Sequence, residues 1–271
     1  MVQNSKKGIT TYKDVNEVLH SLTTEIIPIL GDNLVGVYLT GSLSYGDFNP
    51  ENSDIDLLVI LRNPDSQEKL EALKQMHLNM EKGYKKWAKR IECSYVPLDI
   101  LQERLPPKTP RPYIGEGIFY SEAPYGNEWI INQYLLYKHG ISLIGPDFKT
   151  LTQSVHIEDV RDACIRDLFE EWRPKITDPT YLKNSHYQAY IVLTLCRILY
   201  TVMCHSTATK KASALWVKCE FSPQWSHLIQ TAENWQYGKE MDLKEETIRF
   251  IEFVVNRLKE VQGGHSENAS Q

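Results

Sequence analysis

Residues 34–61 hold the pattern that narrows the fold furthest. Two short apolar runs, Leu34–Leu39 and Asp54–Leu61, flank a polar loop that opens with Gly41-Ser42 and closes with Ser53-Asp54-Ile55-Asp56. Both runs are rich in β-branched and aliphatic residues and read as strands. Strand side chains alternate faces, so Asp54 and Asp56 fall on one side and Ile55, Leu57 and Val59 on the other. Two carboxylates so placed repel unless a cation neutralises them or one takes up a proton. A hard divalent cation with oxygen ligands, Mg²⁺ above all, is the economical partner. Gly41-Ser42, directly after a strand, lets backbone N–H groups and a hydroxyl approach an anion closely. A phosphate-binding turn beside a metal-binding carboxylate pair points to phosphoryl or nucleotidyl transfer. Glu92 is the candidate third acid. It stands early in a third apolar run, 91–100, where alternation can aim it at the same cleft to ligate the metal and take the proton of an attacking hydroxyl.

The flanking sequence alternates periods. Val15, Val18, Leu19, Leu22 and Ile26 recur at helical spacing, so 12–29 reads as an amphipathic helix. After the second strand, Asn63-Pro64-Asp65 is a break, and Asp65 with Glu68 forms a capping pair for a helix carrying Leu70, Leu73, Met76, Met80, Tyr84 and Trp87 on one face. Pro97 favours an edge position or an early end for the third strand. Pro106 to Pro112 reads as a proline-rich connection, and Gly145-Pro146 follows a helix at 128–140. From His156 onward every segment has helical spacing, such as Val160, Cys164, Leu168 and Trp172. Gly263–Gln271 is polar and expected to fray. We expect an α+β chain: a domain at 1–152 with a small mixed sheet and helices, and an all-α bundle at 153–271.

Composition removes other classes. At 271 residues the chain exceeds a typical domain of ~100–150 residues. Thirty Lys and Arg against thirty-five Asp and Glu give a net charge of -5, the wrong sign for wrapping nucleic acid. The most apolar run, Ala189 to Cys204, contains Arg197 and falls short of the ~20 residues of a spanning helix. Five widely spaced cysteines without C-x-x-C argue against a disulfide scaffold or zinc site and make a reducing cytoplasm the expected compartment.

Taken singly, each piece of the pattern has a plainer reading. Gly-Ser is a common turn, Asp-x-Asp a solvated strand end, and Glu92, after Lys89 and Arg90, a surface ion pair. Their order carries the signal: strand, Gly-Ser, strand with Asp-x-Asp, helix, strand with Glu. With these residues the chain resembles the nucleotidyltransferase superfamily typified by DNA polymerase β. More narrowly, it is similar to the aminoglycoside adenylyltransferases that modify streptomycin and spectinomycin. Leu143-Ile144-Gly145-Pro146, Val192-Leu193-Thr194-Leu195-Cys196-Arg197 and Thr209–Trp216 are similar to segments of that family.

The resemblance implies transfer of AMP from ATP to a hydroxyl of an antibiotic, with release of pyrophosphate and Mg²⁺ as cofactor. It assigns metal binding to Asp54 and Asp56 and the catalytic base to Glu92. Ser42 and Ser53 match hydroxyls that contact the triphosphate, Arg197 and Lys210 match cations that reach it from the helical domain, and Tyr237 matches a further phosphate contact. Arg197 is unusual on physical grounds too, since an Arg within an apolar helix is costly to bury without an anion; a snorkelling or internally paired side chain is the alternative.

Departures fall on the acceptor side. His186-Tyr187-Gln188-Ala189-Tyr190 replaces the acidic residues of the streptomycin enzymes, and Gly115-Glu116-Gly117 replaces their Gly-Glu-Trp. Glu116, Phe119, Trp172, Asp178 and Tyr187 are the candidate acceptor contacts. We expect a monomer working on ATP and a small molecule, with neither nucleic acid nor membrane. The competing expectations are the same chemistry on a lincosamide, another small molecule or a protein hydroxyl, and a nucleotide sensor without turnover.

Overall fold

The computed structural model describes residues 8–87, 89–221 and 223–268. Helix α1, Lys13–Leu30, buries Val15, Val18, Leu19, Leu22, Ile26 and Leu30 along one stripe and stops at Gly31, whose φ of 53° suits glycine. Strand β1, Leu34–Leu39, runs into a five-residue helix α2, Gly41–Tyr45, where the sequence reads only as loop. Strand β2, Ile55–Leu61, precedes helix α3, Gln67–Gly83, and strand β3, Ile91–Pro97. Ser66 rather than Asp65 caps α3, its Oγ accepting from Lys69 N. Asp65 is taken up instead by Asn33 Nδ2 at 2.7 Å and by Lys69 Nζ at 3.5 Å.

Three strands, two of them in a hairpin and the third at Ile141–Ile144, are not foreseen in the sequence. Strands β4, Arg111–Gly115, and β5, Ile118–Ala123, form a hairpin closed by Glu116-Gly117, both at positive φ. Pro112 is accommodated where the register shifts between Arg111 and Tyr113, so the proline that hides this strand lies at a bulge. Helix α4, Glu128–His139, and strand β6, Ile141–Ile144, complete this half. The described strands form one mixed sheet in the order β5-β4-β3-β2-β1-β6, with β2 and β3 parallel. Strand β3 is therefore interior, and Pro97 marks an early end rather than an edge.

The sheet is covered on both faces. Ile55, Leu57, Val59, Cys93 and Tyr95 pack with α1 and α3, while Tyr38, Ile60 and Val96 pack with Trp129 and Leu136 of α4. Helices α5, Ile157–Asp167, α6, Ser185–Cys204, α7, Lys210–Glu220, α8, Ser226–Glu233, and α9, Lys244–Asn268, build a separate core centred on α6. Helix α6 is long and apolar enough to span a bilayer on length and composition, but its apolar side chains are largely buried in this bundle. Ile130 and Tyr134 of α4 join the bundle core, so α4 packs against both halves of the molecule. Helix α9 continues past Gly263 to Asn268 instead of ending where fraying is expected.

Candidate active site

The acids converge through β-sheet register. Pairing of β2 with β3 sets Asp56 directly beside Glu92, and strand alternation turns both away from the α1/α3 core. Asp54 lies at the entrance to β2. Gly41, at φ 61°, packs so closely on Asp56 that an added Cβ would lie 1.7 Å from Oδ2. Thr40 N donates to Asp56 O at 2.9 Å, tying the Gly-Ser turn to the acid-bearing strand. Ser42 lines the same cleft, and Ser53 Oγ accepts from Asn49 N at 3.0 Å.

The helical half supplies the facing wall. Arg197 projects from α6 and Lys210 from the first residue of α7, and both line a cleft of about 1350 Å³. Among the described residues Arg197 Nε is buried without a hydrogen-bond partner, and Lys210 Nζ lies 5.2 Å from the centroid of the Tyr190 ring. A drug-sized ligand occupies a pocket of ~300–1,000 Å³, so this cleft has room for two substrates side by side. Tyr237 Oη donates to Asp54 Oδ1 at 3.1 Å from the helical half.

Burial crowds these charges. Burial first, and then the Asp54 charge, push Asp56 up to about 7. Burial, Asp56 and Asp54 push Glu92 up to about 8. Asp54 is also raised by burial, against the opposing pull of Arg90 and the Tyr237 hydroxyl. Lys210 is lowered by burial and by Arg197, while the three acids pull it back up. Adjacent carboxylates that hold protons for want of positive charge suit a hard divalent cation. Among the described residues no three His, Cys, Asp or Glu side chains are spaced to enclose an ion by themselves. Mg²⁺ typically takes one or two carboxylates and completes its shell with water and substrate phosphates, which Asp54 and Asp56 suit.

The acceptor-side candidates scatter. Tyr187 Oη donates to Glu116 Oε1 at 2.7 Å, closing the hairpin tip onto α6, and Tyr187 stacks on Tyr181 at 3.9 Å. Phe119 faces the opposite side of the sheet, against His77 and Tyr95, because alternation along β5 gives the cleft side to Tyr120, which stacks on Tyr113. Trp172 is mostly core but reaches the cleft wall, its Nε1 donating to the buried Asp167 Oδ2 at 2.6 Å. Asp178 is outside the cleft: it caps a short helical turn by accepting from Thr180 N at 3.2 Å. Two residues not singled out in the sequence belong here. Tyr113 hydrogen-bonds Glu92, which works against the upward push of burial and the two aspartates. Arg90 lies 3.6 Å from Asp54 rather than pairing with Glu92.

Comparison with known proteins follows the same division of the chain. The nucleotidyltransferase domain model matches residues 24–108, and the model of the aminoglycoside adenylyltransferase C-terminal domain matches 150–260. A spectinomycin 9-adenylyltransferase of Campylobacter jejuni is 23% identical over 263 residues, covering 92% of this chain and 96% of the relative. Its counterpart in Staphylococcus aureus is 28% identical over 198 residues, 69% of this chain and 72% of the relative. In fold the chain resembles a spectinomycin adenyltransferase from Enterococcus solved with ATP and spectinomycin, with a TM-score of 0.72 at 23% identity over 90% of this chain and 98% of that one. With both domain models matched in this order and near full-length relatives, the chain belongs to the aminoglycoside adenylyltransferase family of the nucleotidyltransferase superfamily.

Proposed function

We propose that the protein transfers AMP from ATP to a hydroxyl of spectinomycin and releases pyrophosphate. The observation that carries this reading is the juxtaposition of Asp54, Asp56 and Glu92 on one sheet face across a cleft from Arg197 and Lys210. Glu92, beside Asp56 on the neighbouring strand, takes the proton of the acceptor hydroxyl as general base. The freed oxygen bonds to the α-phosphorus as the bond from that phosphorus to the pyrophosphate oxygen breaks. Arg197 and Lys210 hold the departing charge, and Ser42 and Ser53 offer hydroxyls to the triphosphate. Asp54 and Asp56 would hold Mg²⁺, which supplies neutralisation of phosphate charge. The named substrate of the relatives supports spectinomycin as acceptor. The aromatic run at His186–Tyr190, where streptomycin enzymes are acidic, favours it over streptomycin. Five free cysteines are in keeping with a cytoplasmic protein.

The test is incubation with ATP, Mg²⁺ and a panel of spectinomycin, streptomycin and lincosamides, following pyrophosphate and product mass. A gain of one AMP on spectinomycin is expected. Modification of a lincosamide alone would keep the chemistry and replace the acceptor; Asp56→Asn protein with wild-type turnover would overturn the site.

A further inference from the structure

Arg90 is nearly buried, at 8% exposure, and belongs to no part of the reaction derived above. Its guanidinium is held between two rings, 4.6 Å from the centroid of Trp87 and 5.1 Å from that of Tyr237. Nη1 donates to Pro50 O at 2.8 Å, and Nη2 donates to Ser53 O. Its own backbone carbonyl accepts from Ile55 N at 2.7 Å. One residue thus grips the 50–55 segment at three backbone points, on both sides of Asp54. A buried guanidinium is costly unless its donors are used, and here two are used on carbonyls rather than on the nearest carboxylate. Nε stands 3.6 Å from Asp54 Oδ1, too far for a hydrogen bond, and has no other partner among the described residues. Arg90 therefore lends charge to Asp54 without a direct hydrogen bond that would tie up the carboxylate. The ring on its other side, Tyr237, comes from the helical half and donates to the same oxygen of Asp54.

We propose that Arg90 is a positioning residue for nucleotide binding: it fixes the Pro50–Ile55 segment so that Ser53 and Asp54 meet the triphosphate, and through Tyr237 it registers that segment against the helical half. This rests on the adenylyl-transfer reading above. The flat fork of the guanidinium is what the role requires. A lysine keeps the charge but, as a compact ammonium, cannot reproduce the planar, two-nitrogen grip on carbonyls set apart.

The test uses Arg90→Lys and Arg90→Met in the full chain. Mg·ATP affinity is measured by calorimetry without acceptor, followed by KM for ATP, KM for acceptor and kcat, all below each variant's melting transition. Losing a hydrogen bond made by a charged group costs roughly ten- to a hundred-fold in the equilibrium it supports. The expected result is a rise of about 10- to 100-fold in the Mg·ATP dissociation constant and in the KM for ATP. The acceptor KM should move by less than about three-fold, and Lys should give no rescue. Should Arg90→Met fail to fold, Arg90→Gln reaches one carbonyl and carries the same readout. Arg90→Lys binding Mg·ATP as tightly as wild type overturns the inference, as does parallel weakening of nucleotide and acceptor. Wild-type protein that binds no Mg·ATP overturns the adenylyl-transfer reading and this inference with it.

Discussion

Gly41→Ala tests the site at its tightest packing. The added methyl would lie 1.7 Å from Asp56 Oδ2 and 2.5 Å from Cγ, whereas ordinary contact begins near 3.4 Å. Either the carboxylate or the turn must retreat by roughly 1.5 Å, enough to lower turnover by about 10²-fold or more. Alanine at a φ of 61° also costs ~1–2 kcal/mol, a loss of a few degrees in melting temperature. Gly31→Ala separates the two effects. Its φ is 53°, but the added carbon has no neighbour within 4 Å, and it caps α1 away from the cleft. Gly31→Ala should lose stability and keep its turnover, while Gly41→Ala loses at least as much stability and also loses turnover in a pyrophosphate-release assay. Equal turnover in both at a temperature where both are folded would refute the idea that Gly41 is needed for close approach to Asp56.

Glu92→Gln should lower the rate by ~10²–10⁴-fold and leave Mg·ATP binding intact, as calorimetry and single-turnover kinetics would show. The acids also set a pH dependence of stability. Asp56 and Glu92 keep their protons to about 7 and about 8, against ordinary values of 3.8 and 4.5, so their contribution is full below about pH 4 and lost as pH rises through 7 to 8. Melting temperature in chelator should fall across that upper range and fall less in the Asp56→Asn/Glu92→Gln double variant. His77 acts in the opposite sense: burial lowers it to about 4 from 6.5, so its contribution is full above 6.5 and lost as pH falls to 4, a limb that His77→Gln should flatten in acid melts. Trp172→Phe leaves the buried Asp167 without its donor and should cost about 1–3 kcal/mol in urea unfolding.

What could be read from the sequence was set by local periodicity. The stripe of α1 and the alternation of Asp54 and Asp56 depend only on neighbours along the chain, and both emerge where expected. Arg197 was conspicuous because its helix is otherwise apolar. The β4–β5 hairpin was not legible, since Pro112 breaks the alternation and only the bulge explains how a strand contains it. The face of Phe119 depends on that hairpin's register: Phe119 packs on Tyr95 on the α3 side of the sheet, and Tyr120 stacks on Tyr113 on the other. Asp178 reads as an acid before a helix, and its service as a cap appears only with its Thr180 partner. Arg90 follows Lys85, Lys86 and Lys89 in what looks like a solvated basic run. Its burial arises only when Trp87 and the distant Tyr237 close on it.

The parallel pairing of β2 and β3 divides the proposed site between two stretches of chain. Gly41, Ser53, Asp54 and Asp56 lie before the crossover through α3; Glu92, Arg197 and Lys210 lie after it. Backbone ladder bonds, not the connecting segment, hold Asp56 against Glu92. A chain opened at the exposed Arg62–Pro64 turn would yield two pieces, each holding part of the proposed site, and turnover is expected to return only when the pieces re-form that ladder. The enzyme is in this sense a ready-made complementation reporter, whose signal would measure strand pairing itself.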